Sequence, residues 1–273
     1  MTDIDMADTA VHMADTAVDM ADTAVDMDDP TDMANPVDTD MIDNTAKAVK
    51  NMDVYFLQDT SGSMMDHSLT VATGMNEIID DLHNRYEKPC EFTATITFST
   101  FSSNSMINIG KKTPIEEFRL IKRPKCDGLT AMWDSAAIML KSMNETSSNV
   151  AAVLYIFTDG VDNDSRKYNK DDITKMIADK SEMHSVLFVG SDPTSAETAN
   201  SLGIGRNCSI QHSSDNTPMA YEVCRRALAR CVIGDTQTTT FSASDIQLSE
   251  TPQSFGTCNY SSSSNLDDNA SSM

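Results

Sequence analysis

The run Val150 to Phe157, VAAVLYIF, is apolar at every position and is followed at once by Thr158-Asp159-Gly160. Such a run has no wet face. It suits a strand covered on both sides, as in a parallel sheet held between helical layers. Asp53 to Gln58 (DVYFLQ) and Ser185 to Val189 (SVLFV) read as buried strands in the same way. Glu91 to Thr100 (EFTATITFST) alternates Phe92, Ala94, Ile96 and Phe98 with polar residues, which predicts a strand with one face in the core. Met106 to Ile109 follows a Ser/Asn turn and predicts a hairpin, with its second strand antiparallel at the sheet edge. A weak strand is expected near Cys208 to Ile210.

Helices are predicted between these strands. Met64 to about Tyr86 places Leu69, Val71, Met75, Ile78, Ile79 and Leu82 inward at helical spacing. Thr130 to about Met143, Asp171 to about Ala178 and Pro218 to about Val232 read likewise, and Ser195 to Leu202 is a short helix closed by Gly203. Thr113-Pro114 followed by Glu116 and Glu117 predicts a further helix start. The alternation gives an α/β chain: a three-layer α/β/α sandwich around a mostly parallel central sheet with one antiparallel edge strand. Right-handed crossovers bring the strand C-termini to one edge, where ligands of such sheets bind.

Charge divides the chain. Residues 1–50 contain thirteen Asp, no Glu, and only Lys47 and Lys50, while the whole chain has a net charge of −22. Residues 6–27 repeat MADTAV with a period of seven. The spacing of Met and Ala copies a coiled-coil stripe, but Ala fills a core poorly and no Lys or Arg answers the Asp. We read 1–50 as a disordered acidic arm, 51–232 as the folded domain, and 233–273, rich in Ser, Thr, Asn and Asp, as a flexible tail. A balance this acidic argues against nucleic acid and against an anionic membrane surface as general partners. No run is long and apolar enough to cross a membrane, so no membrane insertion is expected.

The six Cys form no CxxC pair, and Cys224 and Cys231, seven apart, fall on one helix face and read as core. MTDIDMADTA has neither the basic nor the apolar segment of a secretory signal, so an intracellular, cytoplasmic setting with reduced thiols is expected.

Three polar clusters fall at the expected ligand edge. Asp59-Thr60-Ser61-Gly62-Ser63 follows a buried strand and precedes a helix. Asp127-Gly128-Leu129-Thr130 precedes the next helix, and Thr158-Asp159-Gly160 follows the central strand. A hard cation such as Mg2+ takes an octahedral shell of oxygens at about 2.1 Å and keeps some water. Two carboxylates would roughly neutralise the ion, and neutral hydroxyls would leave it electrophilic with one position open. Asp59, Ser61 and Ser63 alone could instead cap the following helix. Thr130 and Asp159, arriving at their own junctions, turn the reading toward a metal site. Asp159, Asp162 and Asp164 lack the Gly and Glu of an EF-hand loop and read as solvated.

Asp59-x-Ser61-x-Ser63, then Thr130, then Asp159-Gly160 resembles the metal-ion-dependent adhesion site of von Willebrand factor A domains. DVYFLQDTSGSM, GLTAMWDSAA, VLYIFTDG, SVLFVG and SLGI resemble the family's junctions over about residues 51–232. The resemblance implies a Rossmann-like fold. It further implies that Ser61, Ser63 and Thr130 bind Mg2+ or Mn2+ through their hydroxyls, and Asp59 and Asp159 directly or through water. Trp133 stands where Tyr is usual and Leu129 where Gly is frequent, and neither change removes a ligand. Asp134 is expected to orient the loop from behind the ligands.

The function that follows is a metal-dependent protein-binding module, not an enzyme, whose cation takes an acidic side chain of a protein partner. Two other classes compete with it: a metal-free scaffold acting through its tails, and a metal-assisted hydrolase. The second lacks a His or Lys base in the three loops.

Overall fold

The computed structural model describes residues 51–86, 92–103, 105–191 and 193–251. The arm of residues 1–50 and the end of the expected tail, residues 252–273, lie outside the described residues. The described residues form one six-stranded sheet of order β3-β2-β1-β4-β5-β6. Its strands are β1 (Asn51–Asp59), β2 (Thr93–Ser102), β3 (Ser105–Pro114), β4 (Ala151–Thr158), β5 (His184–Gly190) and β6 (Ser209–Gln211). All neighbouring pairs are parallel except β2 and β3, the expected hairpin, which puts β3 antiparallel at the edge.

The apolar strands bury both faces, and the side-chain period of two sorts them into two cores. Val54 and Phe56 of β1, with Val153, Tyr155 and Phe157 of β4, face α1 (Ser68–Tyr86) and α5 (Thr217–Ile233). Tyr55, Leu57, Leu154 and Ile156 face α2 (Met132–Asn144), α3 (Lys170–Ala178) and α4 (Ser195–Ser201). The result is the expected three-layer sandwich. Cys224 and Cys231 lie in the first core. Gly203 closes α4 with φ +77, a conformation that costs other residues more.

Three expectations are corrected. No helix starts at Thr113-Pro114. β3 runs through Pro114, a single turn closes with Phe118 N–H donating to the Pro114 carbonyl at 3.0 Å, and the chain then continues without regular structure. Burial of Ile115, Phe118 and Ile121 against the first core outweighs the local helix signal. Leu69, expected inward, is 61% exposed in the first turn of α1. The expected tail does not begin at 233. Residues Ala243–Glu250 form α6, with Phe241 and Asp245 buried beside the domain. Ser242 and Asp245 close a capping box there, so the polar residues that suggest a loop start a helix instead.

Candidate metal site

β1 ends at Asp59 and β4 ends beside it at Thr158, because Gln58 and Phe157 are partners in the parallel register. The Thr158 hydroxyl donates to Asp59 Oδ2 at 2.7 Å, and the Ser61 N–H donates to Asp59 Oδ1 at 2.7 Å. The chain then enters a 3-10 turn, Gly62–His67. Ser61 stands at the start of that turn, but its side chain makes no capping bond. Its Oγ lies 3.1 Å from Ser63 Oγ, and Ser63 Oγ donates to Asp159 Oδ1 at 2.9 Å. A cap alone does not account for hydroxyls that turn toward one another and toward a carboxylate of another loop.

The second loop is bonded to the first through its backbone. Gly62 N–H donates to the Gly128 carbonyl, and Asp127 N–H to the Thr60 carbonyl, both at 3.0 Å. Gly128 has φ +77, and a Cβ there would lie 2.5 Å from Ser103 Oγ, so this turn requires glycine. Thr130 is buried beside the third loop. Its N–H donates to Asn163 Oδ1 at 2.8 Å, and its carbonyl accepts from Asn163 and Asp164 N–H at 3.0 and 3.2 Å. The side chains of Ser61, Ser63 and Asp159 therefore form one hydrogen-bonded chain, Asp59 joins it through the Ser61 N–H, and Thr130 is bonded through its backbone to Asn163 and Asp164 of the third loop.

Asp134 acts as expected from behind the loops. Its carboxylate accepts from the N–H groups of Arg166, Lys167 and Tyr168 at 3.0, 2.9 and 2.8 Å. Burial works to raise its pKa, but these bonds outweigh it and hold the group below the usual carboxylate range. Asp162, read as solvated, instead accepts from Trp133 N–H at 3.1 Å, and Ser165 Oγ accepts from Asp134 N–H at 3.0 Å. The free N–H groups at the start of α2 are thus satisfied from the third loop.

Asp59 is 1% exposed. Burial, helped a little by Asp159 nearby, raises its pKa from 3.8 to about 6 against the bonds from Ser61 and Thr158. A cation between the two carboxylates would relieve both the burial and the repulsion. All donors offered are oxygens. Among the described residues no three His, Cys, Asp or Glu side chains cluster to hold a metal, and the five predicted residues include no thiol or imidazole. The residues present fit a hard ion. Burial also pushes the Cys126 thiol up, helped by Asp59 and Asp159, so it offers no thiolate here.

Two features were not legible in the sequence. Met65, Leu129 and Val161, in or beside the three loops, are 54%, 52% and 52% exposed. His67 and His212 come together in a small crevice with Thr158 and Tyr221. None of the five predicted residues lines it, and His212 is buried with Nδ1 2.9 Å from the Ser213 carbonyl.

No protein-family model matches the sequence, and comparison with curated proteins finds no match. Solved structures share the fold. Two forms of the pilus adhesin SpaC from Lactobacillus rhamnosus GG superpose with TM-scores of 0.53 and 0.51 at 14% and 16% identity, over 70% of this chain and 32% and 31% of theirs. The von Willebrand factor type A protein from Catenulispora acidiphila gives 0.47 at 17% identity, over 69% of this chain and 44% of that one. Proximal thread matrix protein 1 from the mussel byssus gives 0.46 at 15%, over 68% and 45%. The match thus spans less than half the length of each of these proteins. Of these, the SpaC likeness exceeds 0.5, and it is one of fold alone. The strand order and the loops at the strand ends are those that the resemblance to von Willebrand factor A domains implies.

Proposed function

We propose that Asp59, Ser61, Ser63, Thr130 and Asp159 hold a divalent cation, Mg2+ or Mn2+, and that the chain is a binding module whose cation takes a carboxylate from a protein partner. The observation that carries this reading is the chain of side chains from Ser61 through Ser63 to Asp159 above the buried Asp59, drawn from loops at two strand ends. A cation there would supply a Lewis-acidic position. The protein's own residues bind and orient it: Asp134 fixes the third loop, and the backbone bonds of Gly62 and Thr130 hold the other two. The exposed Met65, Leu129 and Val161 around the site suit a protein surface.

We read the chain as a non-enzyme. Asp59 has both oxygens engaged, and the two histidines at this edge line a separate crevice, so neither offers a base there, and Asp159 is read as a ligand. We further place the protein in the cytoplasm. Its four described cysteines are free thiols, and among the described residues no helix is long and apolar enough to cross a membrane.

The test is Mg2+ and Mn2+ titration by calorimetry with wild type and Asp59→Ala, followed by partner capture with metal and with chelator. Uptake by wild type alone, and a partner retained by wild type only with metal, is the expected result. Equal capture by Asp59→Ala with chelator present would leave only the metal-free scaffold.

A further inference from the structure

Residues 111–125 carry Lys111, Lys112, Arg119, Lys122, Arg123 and Lys125 against only Glu116 and Glu117, in a chain whose net charge is −22. The segment starts within the end of β3, and its later part, from Leu120 to Lys125, walls a groove of about 590 Å³ with the β2–β3 hairpin. Thr60 and Asp127, which join the first two metal loops by hydrogen bond, are among its lining residues. Lys122, Arg123 and Lys125 line it together with Ile107 and Leu120, which are 62% and 52% exposed.

The wall is fixed before any ligand arrives. Asn76 of α1 donates to the Ile121 carbonyl at 3.0 Å and accepts from the Ile121 N–H at 2.8 Å, holding the segment as a neighbouring strand would. Arg123 Nε donates to Ser68 Oγ at 2.7 Å. Lys125 meets Asp127 at 3.5 Å with 90% of its side chain exposed, a pairing worth little in water. Lys122 is exposed, and no ion pair engages it among the described residues.

A preformed basic groove with two exposed aliphatic side chains, opening onto a site that wants a carboxylate, selects for a particular chemistry. We propose that it takes the stretch of the partner protein that flanks the metal-bound carboxylate: an extended segment mixing Asp or Glu with an apolar residue. The proposal rests on the metal-binding reading above and names the partner class for it. Nucleic acid fits the groove worse. The one aromatic lining residue, Phe101, is 1% exposed and offers no stacking surface for a base.

The test uses the full chain, Mg2+, and two fluorescein-labelled ten-residue peptides, one alternating Glu with Leu and one alternating Glu with Gly. Fluorescence anisotropy reports binding, and calorimetry separately reports Mg2+ uptake. Lys122→Glu combined with Lys125→Glu should weaken the Glu/Leu peptide about tenfold or more and leave Mg2+ uptake unchanged. The Glu/Gly peptide should bind more weakly than Glu/Leu. Unchanged peptide affinity in the double variant overturns the groove while leaving the metal reading intact, as does absence of wild-type binding up to about 1 mM peptide. Displacement of the peptide at lower concentration by a single-stranded oligonucleotide of equal charge also overturns it. Absence of Mg2+ uptake by wild type defeats the metal reading instead, and the charge-reversal comparison then still decides the groove.

Discussion

Ser63 Oγ and Asp159 Oδ1 lie 2.9 Å apart and tie together two loops separated by 96 positions in the chain. Ser63 is exposed, so its hydroxyl contributes little to the core. Ser63→Ala should leave stability within about 0.5 kcal/mol of wild type but weaken Mg2+ binding by roughly 10–100-fold. Asp159→Ala, which removes a charge as well as a ligand, should weaken it further. Thermal melts and calorimetric titrations on the same preparations check both halves. Unaltered Mg2+ affinity in Ser63→Ala would remove that hydroxyl from the site.

Asp59 gives a dependence on pH whose sign is opposite to that of most carboxylates. Its folded pKa of about 6 exceeds the ordinary 3.8, so the folded state holds the proton more tightly than the unfolded state. This group's stabilisation is complete below pH 3.8, is lost as pH rises from there to about 6, and changes no further above that. In chelator at pH 7, Asp59→Asn should therefore be more stable than wild type, by on the order of 2 kcal/mol. The Thr158 hydroxyl can turn to accept from the new amide, since the Gly160 carbonyl is also within its reach at 3.1 Å. Saturating Mg2+ should stabilise wild type, by about 2.7 kcal/mol at a hundredfold excess over Kd, and leave Asp59→Asn unmoved. Urea midpoints at pH 4.5 and 7, with and without metal, test this. A less stable Asp59→Asn at pH 7 in chelator would contradict it.

The parts of the fold legible in the sequence are those set by local period. VAAVLYIF has no polar face, and β4 is accordingly buried at every position. The loops that follow β1 and β4 are legible because short polar residues stand directly after apolar strands. Ile115 and Phe118 were not legible as core, since their turn forms by burial against a helix distant in sequence. The helix α6 was hidden for a related reason. Its sequence, ASDIQLSE, has little amphipathic contrast, and long-range polar contacts hold it. The pairing of His67 with His212 likewise depends on the last parallel strand, which no local pattern aligns with the first loop.

Gly74 sits inside α1, where Ala would ordinarily gain about 1 kcal/mol of helix propensity. A Cβ at this position would lie 2.4 Å from Tyr221 Cγ and 2.6 Å from its Cβ. Tyr221 cannot move away easily: its ring stacks on Phe157 at 4.8 Å and its hydroxyl donates to Gln58 Oε1 at 2.9 Å. Overpacking of this kind costs roughly 1–3 kcal/mol, and here the clash involves the root of the ring. Gly74→Ala should therefore destabilise by about 1–2 kcal/mol net, read as a lower urea midpoint. A stabilised variant would show that α1 and α5 are less closely packed.

Asn216, 1% exposed, anchors the segment that follows α5. Its Nδ2 donates to the carbonyls of Leu248, Ser249 and Thr251 at 3.1, 2.8 and 3.1 Å, which are groups the C-terminal end of α6 leaves without helical partners. From the other side, Arg230 pairs with the buried Asp245, and Phe241 enters the first core with its N–H donating to the Asn207 carbonyl at 2.7 Å. If residues 235–251 were a free tail, Asn216→Ala and Phe241→Ala would both be silent. The packing seen here gives a different expectation. Asn216→Ala leaves buried carbonyls unsatisfied and should cost about 1–3 kcal/mol, and Phe241→Ala should cost about 3–5 kcal/mol. Both losses should appear in urea denaturation with Mg2+ affinity retained, because neither residue belongs to the three metal loops. The two effects should also add to less than their sum in the double variant, since each releases the same segment. Strict additivity would mean that Asn216 and Phe241 hold separate pieces of structure.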